Sequence, residues 1–328
     1  MTQDRRAFLK TGAVATTAAA AGVPFMTTVS RAAGAQMMAR GFVFATLQRA
    51  NGYGLGVRTQ RGVLDVVAAE QDLKEGAPTT ITDVLEGRGN IEGLKRLAEN
   101  ARDSHFVALD KATFGPAVTH PEKIIGVGLN YRKHAAETNS PLPKEPRLFT
   151  KFNTTLNNHG GTIAVSKEDA QKFDYEAELV VVIGKTAKNV SEADAQNYIF
   201  GYATGNDFSA RDLQAQSTLL GKSLDGAAPI GPWLVTSDLA DGDNLKIECR
   251  VNGEVRQSSS TADMVFNCKQ LVAYTSRYFT LKPGDIIFTG TPEGVILGKP
   301  KDQQAWLKPG DTVVTSIEKL GDLQFKLT

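Results

Sequence analysis

The feature that most constrains the fold is the stretch DYEAELVVVIG, Asp174 to Gly184, in which five consecutive apolar residues follow two closely spaced glutamates. The run Leu179 to Ile183 contains no polar position. An unbroken apolar run of this length, rich in β-branched residues, is typical of a strand that is covered on both faces. We therefore predict a central strand in a sheet that has packed layers on each side.

The two glutamates, Glu176 and Glu178, stand one residue apart at the start of this run. Alternate residues of a strand point to the same face, so both side chains are expected to project together. Two adjacent anions repel unless they share a proton, face Arg or Lys, or hold a divalent cation. The alternative is a strand end at which both carboxylates simply reach water.

The net charge and the small number of cysteines and histidines limit the molecules and metals that the chain is expected to bind. Lys plus Arg (37) nearly balances Asp plus Glu (36), for a formal net charge of +1. This balance gives no basic surface for nucleic acid or anionic lipid. The chain has four histidines and only two cysteines, Cys249 and Cys268, and no local spacing typical of a zinc site. We expect a small-molecule substrate or a second copy as partner, and oxygen ligands for any metal.

The first 35 residues resemble a twin-arginine export signal, because Arg5 and Arg6 precede a mild Ala-rich stretch. This interpretation predicts that residues 1–35 are a signal peptide, that the mature protein is periplasmic, and that it has no membrane contact after cleavage. The alternative is an N-terminal helix that stays attached, although the stretch is short and is interrupted by Pro24.

The rest of the chain divides by pattern into two predicted domains. Residues 36–116 combine strand-like runs around the turn dipeptide Asn51-Gly52 with helical segments, which indicates a small α+β domain. Residues 117–328 contain many short strands and few helices. One helix is predicted to begin after capping signals at Ser260 to Asp263. The predicted fold class is α+β, mostly β.

A possible proton-transfer pair lies in the segment NYRKHAAE. His134 and Glu137 are three residues apart and therefore neighbours on a helical turn. A glutamate beside an imidazole raises its basicity and fixes its tautomer, as a general base requires. The alternative is an ordinary solvated helix face.

The segment GYATGNDFSARDLQ supplies a third carboxylate. Asp207 follows a strand-like run, and Arg211 and Gln214 are spaced four and seven residues further on, as on one face of a helix that Ser209 could cap. Asp207 is a candidate to share a cation with the two glutamates, and three carboxylates suit magnesium, manganese or calcium better than zinc. The alternative is a local salt bridge between Asp207 and Arg211.

Two glycine-rich segments could bind an oxyanion. GKSLDGAAPIGPW carries Lys222, and GDIIFTGTPEGV carries Thr291 beside the backbone amides of Gly290 and Gly294. Such turns present N–H groups to a carboxylate or oxyanion. The alternative is that they are tight loops between strands.

Taken in order, these motifs resemble the fumarylacetoacetate hydrolase family over about residues 120–328; they are NYRKHAAE, FTKF, DYEAELVVVIGK, GYATGNDFSARDLQ, GKSLDGAAPIGPW and GDIIFTGTPEGV. The resemblance implies a catalytic domain built as a mixed β-roll and a homodimer. It also implies one Mg²⁺ or Mn²⁺ ion, with Ca²⁺ as a further alternative, bound by Glu176, Glu178 and Asp207.

The resemblance also implies roles for other residues. His134 and Glu137 would form a water-activating pair on a lid, and Lys222 would offset the charge that accumulates on oxygen. The residues implied to bind the substrate are Lys151, Arg211, Gln214 and Thr291. The segment after Lys151 lacks the proline and serine common in the family, so substrate preference does not transfer at this edge.

The implied activity is metal-dependent hydrolysis of a C–C bond in a 2,4-dioxo acid such as an acylpyruvate or fumarylacetoacetate. The alternatives are a 2-hydroxyhepta-2,4-diene-1,7-dioate isomerase or an oxaloacetate decarboxylase of the same family. A third alternative, from another class, is a non-catalytic binding domain stabilised by a metal.

Overall fold

Two mixed sheets supply most of the regular structure in residues 38–166, 168 and 170–328, which are the residues that the computed structural model describes. The fold class predicted from the sequence, α+β and mostly β, is confirmed. The strands are β1 (Val43–Arg49), β2 (Gly52–Thr59), β3 (Gly62–Asp65), β4 (Phe106–Val107), β5 (Ile124–Gly128), β6 (Arg147–Lys151), β7 (Leu156–Asn157), β8 (Thr162–Ile163), β9 (Phe173–Asp174), β10 (Ala177–Ile183), β11 (Ile199–Asn206), β12 (Ser209–Ala210), β13 (Ala228–Thr236), β14 (Lys246–Val251), β15 (Glu254–Ser260), β16 (Ile286–Phe288), β17 (Thr312–Ile317) and β18 (Gly321–Leu327).

The larger sheet has eleven strands in the order β4-β3-β2-β1-β13-β11-β10-β16-β5-β6, with β7 also pairing with β13. Most neighbours are antiparallel, whereas β16 pairs in parallel with β5 and β7 in parallel with β13. The N-terminal strands join the rest of this sheet where β1 pairs with β13. The domain boundary proposed near residue 116 stays a prediction.

Strand β10 is the central strand that the apolar run predicts. It lies between β11 and β16, and every one of its residues is buried. Leu179, Val181 and Ile183 belong to one apolar core, whereas Val180 and Val182 belong to a second core on the other face. Burial of each such side chain contributes about 1.5–3 kcal/mol. The unbroken apolar run therefore follows from burial on both faces.

The second sheet has five strands in the order β15-β14-β17-β18-β8. A two-residue turn joins β14 to β15, with Asn252 at φ 52° and Gly253 at φ 85°. Consecutive positive φ values are typical of the tight hairpin turn that Asn-Gly favours. A separate short ladder pairs β9 with β12 and so brings Asp174 opposite Ser209.

The helices are short and lie between the strands; they are α1 (Val66–Leu73), α2 (Ile81–Leu85), α3 (Ile91–Asn100), α4 (Arg132–Glu137), α5 (Arg211–Gln216), α6 (Thr218–Lys222) and α7 (Cys268–Tyr278). No helix in the described part of the chain has the length and apolar character needed to cross a membrane. Cys249 and Cys268 are both buried and free, without a disulfide.

Two predicted helix starts are wrong. Ser260 caps only a short 3₁₀ turn, and α7 begins later, at Cys268, where Asn267 and Gln270 form a capping box with bonds of 2.9 and 3.0 Å. Ser209 does not cap α5, because its hydroxyl donates to the carbonyl of Asp207 at 2.8 Å. The signal peptide proposed for residues 1–35 lies outside the described residues.

Candidate active site

The three predicted metal ligands, Glu176, Glu178 and Asp207, lie together in the interior. Each offers a carboxylate oxygen, and these oxygens lie within 4.8 Å of one another. Strands β10 and β11 run antiparallel with Ala177 opposite Asn206, which places Asp207 beside the two glutamates. The backbone N–H of Asp207 also donates to the Glu176 carbonyl at 2.9 Å. The alternative in which both glutamates reach water is therefore wrong, because both are buried.

Two lysines and an arginine face this cluster. Lys222 Nζ lies 2.5 Å from Glu176 Oε2 and 2.8 Å from Asp207 Oδ2. Lys151 Nζ lies 2.6 Å from Asp207 Oδ1, and Arg211 Nη2 lies 2.7 Å from Glu176 Oε1. These cations neutralise much of the charge on Glu176 and Asp207.

Glu178 is different, because no ion pair to it occurs among the described residues. Its Oε2 accepts a hydrogen bond of 2.7 Å from the backbone N–H of Gly290. Burial, followed by the nearby charges of Asp207 and Glu176, raises the pKa of Glu178 well above its ordinary value. A buried carboxylate without a counter-ion is costly in free energy. Glu178 therefore lacks a cation that the other two carboxylates have.

The pKa of Glu176 shifts the other way. Burial alone would raise it, but the charges of Lys222 and Arg211 outweigh burial and lower the pKa to about 2. Three clustered oxygen ligands, one of them unneutralised, match the donor set that hard divalent cations prefer. The cluster could therefore hold a divalent metal ion.

The lysines have distinct positions. Burial would lower the pKa of Lys222, but Asp207 and Glu176 outweigh burial and raise it. Burial lowers the pKa of Lys151, and its side chain is fully enclosed. Lys151 also donates to the backbone carbonyl of Lys222. The structure thus places Lys151 behind Asp207 and not on the cavity wall, whereas Lys222 lines the cavity.

A cavity of about 520 Å³ opens above the carboxylates. The predicted site residues that line it are His134, Glu176, Glu178, Arg211, Gln214, Lys222 and Thr291. Arg211 begins helix α5 and its Nη1 donates to Gln214 Oε1 at 3.0 Å. Asp207 precedes this helix, whereas Arg211 and Gln214 both lie on it. The alternative of a local salt bridge between Asp207 and Arg211 is wrong, because Arg211 pairs with Asp174 and Glu176.

Helix α4 holds the predicted proton-transfer pair. His134 Nδ1 lies 2.7 Å from Glu137 Oε1, and Glu137 Oε2 accepts a hydrogen bond of 2.9 Å from the backbone N–H of Gly294. A Cβ at Gly298 would lie 2.5 Å from Cδ of Glu137. The loop around Gly294 and Gly298 therefore holds the glutamate against the imidazole, which leaves Nε2 as the ring nitrogen free to exchange a proton.

Asp174 is a functional candidate that the sequence analysis missed. Its carboxylate lies 2.9 Å from Arg211 Nε and accepts backbone hydrogen bonds from Ile296 at 2.9 Å and Leu297 at 3.1 Å. Asp174 therefore connects Arg211, which lines the cavity, to the loop that supports Glu137. Its place two residues before Glu176 was a signal that could have identified it.

Gln257 was also missed. Its Nε2 donates to Thr291 Oγ1 at 2.9 Å, and its Oε1 accepts from the backbone N–H of Ala177 at 2.9 Å. This buried amide thus connects strand β10 to the Thr291 loop. Nothing around Gln257 in the sequence indicates this role, since its partners are 80 and 34 residues away.

The site lies in a part of the chain that matches a known protein family. Residues 123–328 match the family model described as fumarylacetoacetate (FAA) hydrolase, C-terminal. The chain belongs to the fumarylacetoacetate hydrolase family. It is 43% identical over 267 residues to a mitochondrial oxaloacetate tautomerase of Bos taurus. This alignment covers 79% of this chain and 82% of the relative.

Solved structures agree with this assignment. The 2-hydroxyhepta-2,4-diene-1,7-dioate isomerase of Mycobacterium marinum is 29% identical with a TM-score of 0.67, covering 88% of this chain and 98% of that chain. The fumarylpyruvate hydrolase of Pseudomonas aeruginosa, crystallised with Mn²⁺ and pyruvate, is 30% identical with a TM-score of 0.57, covering 66% of this chain and 91% of that chain. The predicted family and its type of fold are therefore confirmed.

The comparisons correct one prediction and shift another. The periplasmic localisation is wrong, because the oxaloacetate tautomerases that the chain resembles are mitochondrial enzymes. The chain is an enzyme of this family, but its relatives include tautomerases, isomerases and hydrolases. They favour the isomerase or decarboxylase alternative over the C–C bond hydrolase.

Proposed function

We propose that the protein is a divalent-metal-dependent tautomerase that interconverts the keto and enol forms of oxaloacetate or a closely related oxo acid. The observation that carries this proposal is the buried carboxylate cluster with one unneutralised member, at the floor of a cavity lined by cationic and amide side chains. The similarity to oxaloacetate tautomerases supports the choice of substrate class.

The resident cation is proposed to be Mg²⁺ or Mn²⁺, held by Glu176, Glu178 and Asp207. Carboxylate oxygens suit both ions, and a related hydrolase was crystallised with Mn²⁺. When bound, such a cation polarises a substrate carbonyl and stabilises the enolate oxygen.

The polar groups on the wall would hold the substrate. Arg211 is held by Asp174 and Glu176, so its orientation is set before substrate arrives. Lys222, Gln214 and Thr291 line the same cavity and can contact the carboxylate and the 2-oxo group. Lys151 would not contact the substrate directly, because its amine binds Asp207 and would hold that carboxylate in place.

His134 would carry the proton between solvent and the substrate carbon. Glu137 fixes the imidazole through the 2.7 Å contact at Nδ1, so that Nε2 is the nitrogen that would exchange a proton with the substrate. A glutamate in this position also stabilises the imidazolium that forms when His134 accepts a proton. Tautomerisation then needs one proton removed from carbon and one delivered to oxygen, with no bond between carbons broken.

Hydrolysis of a C–C bond is the second candidate. The His134–Glu137 pair favours it, since the same pair could deprotonate a water molecule. The solved hydrolase with Mn²⁺ and pyruvate adds support by similarity.

A three-substrate assay tests these candidates. Purified protein loaded with Mn²⁺ or Mg²⁺ is given enol-oxaloacetate, keto-oxaloacetate and an acylpyruvate. The proposal expects rapid loss of the enol ultraviolet absorbance, without pyruvate release from oxaloacetate and without acylpyruvate cleavage. Pyruvate release at a comparable rate would favour a decarboxylase, and acylpyruvate cleavage would favour the hydrolase.

We also propose that the protein is a homodimer and has no nucleic-acid or membrane partner, as the family resemblance and the net charge of +1 suggest. Light scattering at several protein concentrations tests the dimer. A mass of one chain, 35.2 kDa, at all concentrations would contradict it.

A further inference from the structure

Arg147 is the first residue of strand β6 and lines the mouth of the active-site cavity. Side chains two residues apart on a strand share a face, so Arg147, Phe149 and Lys151 project to the same side. Lys151 reaches Asp207 at the floor, and the Phe149 ring lies 5.5 Å from Lys222 Nζ. The strand thus leads from the carboxylate cluster out to the rim, where Arg147 is exposed.

Arg147 differs from the other permanently charged cations on this wall. Arg211 and Lys222 are both neutralised by buried carboxylates. No ion pair, hydrogen bond or ring contact of the Arg147 guanidinium occurs among the described residues. The acidic residues that line the cavity, Glu176 and Glu178, lie at its floor. The rim therefore carries a positive charge that no group in residues 38–166, 168 and 170–328 neutralises.

We propose that Arg147 is the specificity residue that selects substrates with a second carboxylate, on the end of the oxo acid remote from the floor. This inference rests on the proposed function, because it assumes that the 2-oxo acid end lies over the carboxylate cluster. Four residues of strand separate Arg147 from Lys151, or about 13 Å between their Cα atoms. Arg147 lines the same cavity as Glu176 and Glu178, and the cavity volume of about 520 Å³ has room for a short oxo diacid.

The guanidinium suits this task for a chemical reason. Its planar fork donates two parallel hydrogen bonds to a carboxylate, and it stays charged at every physiological pH. An uncharged end group would receive no such contact and would leave the arginine in water. Selection is therefore expected to act on binding and to leave the proton transfer at the floor unchanged.

The test compares two ligands of equal length, 2-oxoglutarate and 2-oxopentanoate, which differ only in the terminal carboxylate. Calorimetry on Mn²⁺-loaded protein is expected to show 2-oxoglutarate binding about tenfold more tightly, the range of a partly exposed charge-assisted contact. Arg147→Gln is expected to abolish this preference without weakening 2-oxopentanoate. Arg147→Lys is expected to restore part of it. Arg250→Gln, which changes an exposed strand arginine away from the cavity, is the matched control.

Three outcomes would overturn the inference. They are equal binding of the two ligands by the parent protein, an unchanged preference in Arg147→Gln, and parallel weakening of both ligands in that variant. The readout is binding and not turnover, so it separates this inference from the proposed function. A parent protein that prefers 2-oxoglutarate but does not tautomerise oxaloacetate would support the inference and refute the proposed activity.

Discussion

Replacing Glu178 by glutamine tests the central feature of the site, a buried carboxylate without a counter-ion. Glutamine has nearly the same shape, and its carbonyl oxygen can still accept the 2.7 Å hydrogen bond from Gly290. The change therefore removes one negative charge and little else. We expect two opposite effects, a more stable metal-free protein and a weaker metal site.

The charge geometry sets the size of the first effect. Two unit charges 4.8 Å apart, the outer limit for these oxygens, repel by about 3.5 kcal/mol at an effective dielectric constant of 20. Lys222 offsets part of this repulsion, and a proton bound to Glu178 removes more of it. We therefore expect the free energy of unfolding in chelator at pH 8 to rise by about 1–3 kcal/mol. Loss of a residue that merely hydrogen-bonds to a metal ligand lowers metal affinity by about 10–100-fold, and loss of the ligand charge itself should lower it by more.

The dependence on pH has a definite sign. The folded-state pKa of Glu178 is raised above its ordinary value of 4.5, so the folded state binds this proton more tightly than the unfolded state. Its contribution to stability is full below pH 4.5 and is lost as the pH rises through the folded pKa. Glu176 acts oppositely, because its pKa is lowered to about 2, and its contribution is lost as the pH falls from 4.5 toward 2. In the Glu178→Gln variant, the loss of stability at high pH should disappear, whereas the loss of stability between pH 4.5 and 2 should remain.

The assay is urea unfolding followed by circular dichroism, in chelator and in Mn²⁺, at several pH values. Glu254→Gln changes an exposed glutamate on β15 and serves as the control for charge removal. A variant Glu178→Gln that is destabilised in chelator, or that binds Mn²⁺ as tightly as the parent, would show that Glu178 is not an unneutralised metal ligand.

Three further predictions concern the residues around the cavity. His134→Ala should lower the tautomerisation rate by about 10²–10⁴-fold, as loss of a general base does, while calorimetric Mn²⁺ affinity stays unchanged. Gly298→Ala should lower kcat by about tenfold or more with little change in KM, because the new Cβ displaces Glu137; an unaltered pH–rate profile would contradict this. Asp174→Asn should reduce the unfolding free energy by about 2–3 kcal/mol in a urea titration, since Arg211 loses a buried counter-ion, and an unchanged midpoint would count against that pairing.

The sequence predicted the parts of the fold that depend on local pattern. The unbroken apolar run predicted strand β10 and its burial on both faces, because side-chain alternation is a property of the strand itself. The Glu-x-Glu spacing likewise predicted that Glu176 and Glu178 would lie together. Helix starts were less predictable, since Ser260 and Asn267 are both good caps and tertiary packing decided which one precedes an α-helix.

The partners of the charged residues could not be predicted, because they come from distant parts of the chain. The alternative interpretation paired Arg211 with Asp207, four residues away, but Arg211 pairs with Asp174, 37 residues away. Lys151 was expected to bind a substrate carboxylate, but its amine donates to Asp207, 56 residues away. Neither pairing can be recognised from the spacing of residues in the sequence, since each depends on the register between strands.

The geometry also explains why one site can serve several reactions in this family. A divalent cation held by Glu176, Glu178 and Asp207 would stabilise an enolate oxygen, and an enolate is common to tautomerisation, decarboxylation and C–C bond cleavage. Under the proposed mechanism, the reaction that follows is decided by whether His134 exchanges a proton with carbon or with water. His134 is held by Glu137, which is held in turn by the loop at Gly294 and Gly298. A shift of this loop that admits a water molecule beside the imidazole would favour hydrolysis, whereas a closed loop favours return of the proton to carbon. We therefore propose that the choice of reaction depends on the packing of helix α4 and not on the metal ligands.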